Sequence, residues 1–136
     1  DRMAGYDPPP RWTPVQGRTM PFHFDCVFYY VSEMERAIHF YRDVLGLTFV
    51  SRDVVARFDV DGVLFELVPT TDASKLLGSG NARLCLRVES LEHAIDELRA
   101  NGVSVRPPED KGAGILAILN DPDGNEVCLW QYSSVR

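Results

Sequence analysis

The sequence predicts an α+β fold built from two tandem strand-helix-strand-strand-strand modules. Three observations carry that prediction. The stretch Val31–Leu47 has the spacing of a complete amphipathic helix, with Met34, Ala37, Ile38, Tyr41 and Leu45 on one apolar stripe. Val88–Arg99 repeats its pattern 57 residues later: Val31 falls on Val88, Met34 on Leu91, Glu35 on Glu92, Ala37 on Ala94, Ile38 on Ile95 and Arg42 on Arg99. Strand-like runs flank both copies in the same order, which makes a chance match of the two helices a poor explanation.

The elements follow in order. Residues 1–20 carry Pro8, Pro9, Pro10 and Pro14, so they read as an extended arm rather than a core element. The folded part spans 21–136, with module one at 21–69, a linker at 70–81 and module two at 82–132. Phe22–Val31 is aromatic and β-branched and reads as the first strand. The first helix starts with Ser32 as cap and Glu35 completing a capping box, and Gly46 stops it. Thr48–Arg52, Val54–Val60 and Val63–Pro69 read as strands, the last two joined by the hairpin signal Asp61-Gly62. In module two, Ala82–Val88 reads as a strand, and Ser90 caps a helix running from Leu91 to Asn101. Ser104–Arg106 reads as a short strand and Pro107–Gly114 as a loop. Ile115–Leu119 and Glu126–Tyr132 are strands joined by a tight turn around Pro122 and Gly124.

Composition narrows the function classes. The chain has 136 residues, 45% hydrophobic and 25% charged, as expected of a globular protein. A net charge of −6 argues against a nucleic-acid partner, which requires a basic face. No apolar run is long enough to span a bilayer, and the amino end shows no signal-peptide core. The three cysteines, Cys26, Cys85 and Cys128, form no Cys-x-x-Cys pair and read as reduced thiols of a cytoplasmic protein.

Two motifs carry a family resemblance. Phe40-Tyr41-Arg42-Asp43-Val44-Leu45-Gly46-Leu47 ends the first helix, and Asp121-Pro122-Asp123-Gly124-Asn125 precedes the last strand. With the repeat, they resemble the vicinal oxygen chelate superfamily, which includes glyoxalase I, extradiol dioxygenases, fosfomycin-resistance transferases and bleomycin-binding proteins. The resemblance covers roughly residues 22–132. It implies that each module curls a mixed sheet into an open cup, that the cups form a cleft, and that a homodimer partner often completes it. Metal-dependent members place one ligand, usually His, Gln or Glu, on the first and last strand of each module.

Carried over residue by residue, those four positions are Cys26, Glu66, Arg83 and Cys128. Arg83 is the departure. A guanidinium has no lone pair to donate. At about 4 Å and an effective dielectric near 20, it would repel a divalent cation by roughly 8 kcal/mol. The expectation is therefore no family metal, with a soft metal on Cys26, Glu66 and Cys128 as the alternative. His23, His39 and His93 read as surface residues.

Strand alternation extends the candidate ligand face to Phe24, Cys26, Phe28 and Tyr30 on the first strand, Leu64, Glu66 and Val68 on the fourth, Arg83, Cys85 and Arg87 on the fifth, and Glu126, Cys128 and Trp130 on the last. An aromatic cleft with an acid and arginines suits a flat or polycyclic small molecule. Glu66 and Arg83 admit two readings. One is an ion pair that replaces the metal and ties the halves together. The other is catalytic, with Glu66 as general base and Arg83 as oxyanion partner. A cysteine beside an arginine also has nucleophilic potential. Three functions stay open: a metal-free small-molecule binding protein of the bleomycin-resistance type, a metal-free enzyme of secondary metabolism, and a metal-dependent lyase, isomerase or dioxygenase.

Overall fold

The computed structural model describes residues 23–76, 78, 80 and 82–133. The proline-rich arm and the start of the first expected strand lie outside the described residues. Module one contains β1 (Val27–Val31), α1 (Met34–Ile38), β2 (Thr48–Arg52), β3 (Ala56–Val60) and β4 (Val63–Pro69). Module two contains β5 (Leu84–Arg87), α2 (Leu91–Ala100), β6 (Glu109–Asp110), β7 (Gly114–Asn120) and β8 (Glu126–Tyr132). Each module forms an open four-stranded sheet, ordered β1-β4-β3-β2 and β5-β8-β7-β6. The first pair in each sheet is parallel and the others antiparallel.

Several element boundaries differ from the sequence reading for local reasons. Pairing of β1 with β4 begins only at Val27 opposite Phe65, so the strand is shorter than Phe22–Val31. β3 starts at Ala56 because Asp53 folds the preceding residues into a turn, its carboxylate accepting from the Val55 N–H at 3.0 Å. β5 is likewise shorter than Ala82–Val88. The expected strand at Ser104–Arg106 reduces to one bridge, Val105 to Leu119, while the expected loop supplies β6. The hairpin at Asp61-Gly62 forms as read, with φ of 52° and 84° and Val60 paired with Val63.

The cap of α1 is Glu33, not Ser32. The Glu33 carboxylate accepts from the Arg36 N–H at 2.7 Å, while the Ser32 hydroxyl donates to Asp123 at 2.5 Å. After Ile38 the helix widens into a π-helical stretch, His39–Val44, in which the Leu45 N–H donates to the Phe40 carbonyl. The wider turn brings the consecutive residues Phe40 and Tyr41 both inward, their rings edge to face at 5.1 Å. The apolar stripe included Tyr41 and missed Phe40, which continued α-helical spacing sets off the line of Met34, Ala37, Ile38, Tyr41 and Leu45. α2 is capped by Ser90, as its sequence signals.

One core serves both modules. Tyr41, Phe58, Phe65 and Leu67 meet Leu119 and Val127 among its fully buried members. The junction is built by the Asp121–Asn125 turn. The Tyr41 hydroxyl donates to Asp121 Oδ2 at 2.8 Å, and Asn125 Nδ2 donates to the Tyr30 carbonyl at 3.0 Å. The Tyr29 hydroxyl donates to the Glu126 carbonyl at 2.8 Å and accepts from the Leu84 N–H at 2.6 Å. Among the described residues no helix is long and apolar enough to cross a membrane.

Candidate functional site

Strand alternation divides each sheet into a helix-facing side and an outer side. On β1, Tyr29 and Val31 are buried, whereas Phe28 is 46% exposed and Tyr30 half-buried. The Phe28 and Tyr30 rings meet edge to face at 5.3 Å, and Lys75 Nζ lies 5.0 Å from the Tyr30 ring centre. Phe24, ahead of the strand, is 64% exposed. The first outer face thus presents exposed aromatic surface, which side chains of a closed core would not.

Cys26 and Glu66 come together on this face, with Sγ 3.6 Å from Oε1. Burial pushes the Cys26 thiol up, reinforced by the negative charges of Glu66 and Asp25. A thiol so placed resists ionisation, which counts against nucleophilic chemistry at Cys26. Glu66 has Arg57 as its ionic partner, Nε to Oε2 at 3.4 Å. Arg57 also reaches Asp53 at 3.0 Å. Arg57 was missed as a site residue, yet the sequence held the signal. A two-residue hairpin at Asp61-Gly62 pairs 60 with 63 and therefore 57 with 66.

The outer face of module two carries the other predicted residues. Arg83 does not pair with Glu66. Its Nε donates to Glu126 at 2.6 Å and its Nη1 to the Gly80 carbonyl at 2.6 Å. Arg106 meets the other carboxylate oxygen, Nη2 to Oε2 at 3.1 Å. These two guanidiniums, Arg83 foremost, hold the Glu126 carboxyl below its usual range. The expected Glu66–Arg83 bridge between halves is thus replaced by one cluster in each half, Cys26–Glu66–Arg57 and Arg83–Glu126–Arg106. Each acid is met by the cations of its own sheet, nearer than those across the junction.

Cys85 and Cys128 are register partners on the parallel strands β5 and β8. Cys85 is exposed and Cys128 only 6% exposed. Burial pushes both thiols up. Trp130 and Tyr132 meet edge to face at 5.6 Å on β8. Trp130 lies against Gly114, where a Cβ would come within 2.4 Å of its ring. Gly114 was also missed; it is paired with Tyr132, and the Trp130 indole, opposite Leu116, reaches over it diagonally. Arg87 is exposed, Leu64 and Val68 half-buried. His23, His39 and His93 are all exposed.

One of the four family positions does not fit a metal. Arg83 offers no lone pair and is engaged by Glu126. Among the described residues of one chain no group of three or more His, Cys, Asp or Glu is arranged to hold an ion. A cavity of about 1010 Å³ lies between the modules and takes in the predicted Arg83, Cys85 and Arg87 together with apolar residues such as Val27, Phe65 and Leu84.

Comparison with known proteins places these features in context. Residues 23–129 match the family model described as the Glyoxalase/Bleomycin resistance protein/Dioxygenase superfamily. A Synechocystis protein described as "Probable lactoylglutathione lyase" is 28% identical, covering 78% of this chain and 92% of that protein. The crystal structure of TnmS3, an antibiotic binding protein from Streptomyces sp. CB03234, is 26% identical. It superposes with a TM-score of 0.69 over 85% of this chain and 100% of that one. The fosfomycin resistance protein FosX of Listeria monocytogenes shares the fold at 13% identity, with a TM-score of 0.70 over 84% and 96% of the two chains.

Proposed function

The chain belongs to the glyoxalase/bleomycin resistance protein/dioxygenase superfamily, and from that premise we propose that it is a metal-free small-molecule binding protein whose ligand is a flat aromatic or polycyclic compound. The observation that carries this reading is the engagement of Arg83 by Glu126 at the family's third ligand position. A cation fixed where a metal donor is required favours binding over Lewis-acid chemistry. The exposed Phe28, the half-buried Tyr30 and Trp130, and the identity to an antibiotic-binding protein support an aromatic ligand. Cys26 and Glu66 lie on one outer face and Arg83 and Cys128 on the other. We therefore take the cleft to be completed in a homodimer, module one of one protomer facing module two of its partner.

The test joins metal analysis to ligand titration. Protein dialysed in turn against zinc, iron, manganese and nickel is expected to retain no stoichiometric metal by mass spectrometry. An anthraquinone or bleomycin probe is expected to quench tryptophan fluorescence saturably and to lose affinity in Trp130→Phe. One tightly held metal per chain would refute the reading.

The lyase relatives favour a second reading, a metal-free enzyme with Glu66 as general base and Arg83 as oxyanion partner. Glu66→Gln keeps the shape and removes the base. Unchanged turnover of a candidate substrate in that variant would end this alternative.

A further inference from the structure

The outer face of module two holds a pair of thiols to which neither reading gives any chemistry. Cys85 and Cys128 stand directly opposite each other on adjacent parallel strands. Side chains in such a pair project to the same side of the sheet. In module one the equivalent register pair is Phe28 and Glu66, so the paired thiols are a feature of this half alone. Both cysteines are free, and so is Cys26, which sits on module one beside Glu66.

We propose that Cys85 and Cys128 form a redox-responsive dithiol, which a low-molecular-weight disulfide such as glutathione disulfide closes into a cross-strand bond and a thiol reductant reopens. The spacing permits closure. Neighbouring strands lie about 4.8 Å apart, inside the range of roughly 4.4–6.8 Å that disulfides span between Cα atoms. A relaxed disulfide brings the Cβ atoms to about 3.8 Å, so one strand must move inward by about 1 Å. β5 is the edge of its sheet and has one strand neighbour, β8, toward which it can shift. A bond made by drawing two strands together is reducible rather than permanent.

The exposures set the order of events. Exposed Cys85, as thiolate, attacks one sulfur of glutathione disulfide and displaces one glutathione, giving a mixed disulfide. Buried Cys128, as thiolate, then attacks the Cys85 sulfur and displaces the second glutathione. Two protein thiols are oxidised by two electrons, one external disulfide is reduced to two thiols, and the two protons end on the released glutathiones. Burial pushes the Cys128 thiol up and Arg83 and Arg106 offset only part of that, so closure runs through a small thiolate fraction and is slow. The bond would lie beside Trp130, on the outer face of module two.

The full chain is equilibrated in glutathione buffers of graded oxidation, alkylated and weighed. The expected product has lost two hydrogens and takes up alkylating agent only at Cys26, with a proteolytic fragment linking Cys85 to Cys128 and full reversal by dithiothreitol. Cys85→Ser and Cys128→Ser should each form no internal bond. Stable glutathione on Cys85 with no internal bond, a bond that includes Cys26, or three alkylated thiols at every ratio would each overturn the proposal. The fragment map of the unaltered chain decides it even if a serine variant fails to fold.

Discussion

The Tyr41–Asp121 hydrogen bond crosses from module one to the β7–β8 turn, and its removal gives a sharp test of how the modules are held. Asp121 is 5% exposed. Its Oδ2 accepts from the Tyr41 hydroxyl at 2.8 Å and from Asn125 Nδ2 at 2.9 Å. Its Oδ1 accepts from the backbone N–H of Asp123 at 2.9 Å and of Asn125 at 2.8 Å. Asp121→Ala leaves the fully buried Tyr41 hydroxyl and two backbone donors without their acceptor. Each buried orphan costs about 1–3 kcal/mol, so three of them give an expected loss of at least about 4 kcal/mol. Against a typical domain stability of about 5–15 kcal/mol that is a large fraction. Tyr41→Phe removes one bond to a carboxylate that keeps its other donors, for an expected loss of about 1.5 kcal/mol. The double variant should lose less than the sum, with a coupling of about 1–2 kcal/mol, because the orphaned hydroxyl is gone. Urea unfolding of the four proteins, at matched m-values, measures all of these quantities. A loss below about 1 kcal/mol for Asp121→Ala, or strict additivity, would refute the junction as described.

Three further predictions follow from the same geometry. Burial holds the Asp121 carboxyl above its ordinary value of 3.8, so the folded protein binds that proton more readily than the unfolded chain. Its contribution to stability falls as pH rises from 3.8 through the raised value, and the difference in urea midpoint between the unaltered protein and Asp121→Asn should follow that direction across the acid range. Glu66→Gln removes a charge that opposes ionisation of Cys26, so the pH profile of Cys26 alkylation should move to lower pH. An unmoved profile would mean the 3.6 Å contact is not present in solution. Gly114→Val places side-chain atoms where a Cβ alone already comes within 2.4 Å of the Trp130 ring. The expected result is a stability loss of about 1–3 kcal/mol and an altered tryptophan emission, and an unchanged spectrum would contradict the packing.

Much of the fold was legible because its signals are local. Helical spacing marked Met34, Ala37, Ile38 and Tyr41, and all four are buried. Turn chemistry at Asp61-Gly62 marked a hairpin whose register then determines that Arg57 faces Glu66. The 57-residue repeat marked two modules, and two sheets of the same strand order result. Those features depend on the periodicity of the backbone and on the few residues that tolerate φ > 0.

The partners of polar groups were decided only by the tertiary structure. Ser32 has the chemistry of a helix cap, but the packed Asp121–Asn125 turn brings Asp123 within reach and Glu33 caps instead. Glu66 and Arg83 both stand at family ligand positions, one at the last strand of module one and the other at the first of module two, but each finds a counter-ion in its own module. The same turn read as a tight, family-type connection between two strands and became the polar link between modules. Charge and hydrogen-bond pairing falls steeply with distances of a few ångströms. Sequence alone sets which groups are available on each face; only the packing of one module against the other sets which of them meet.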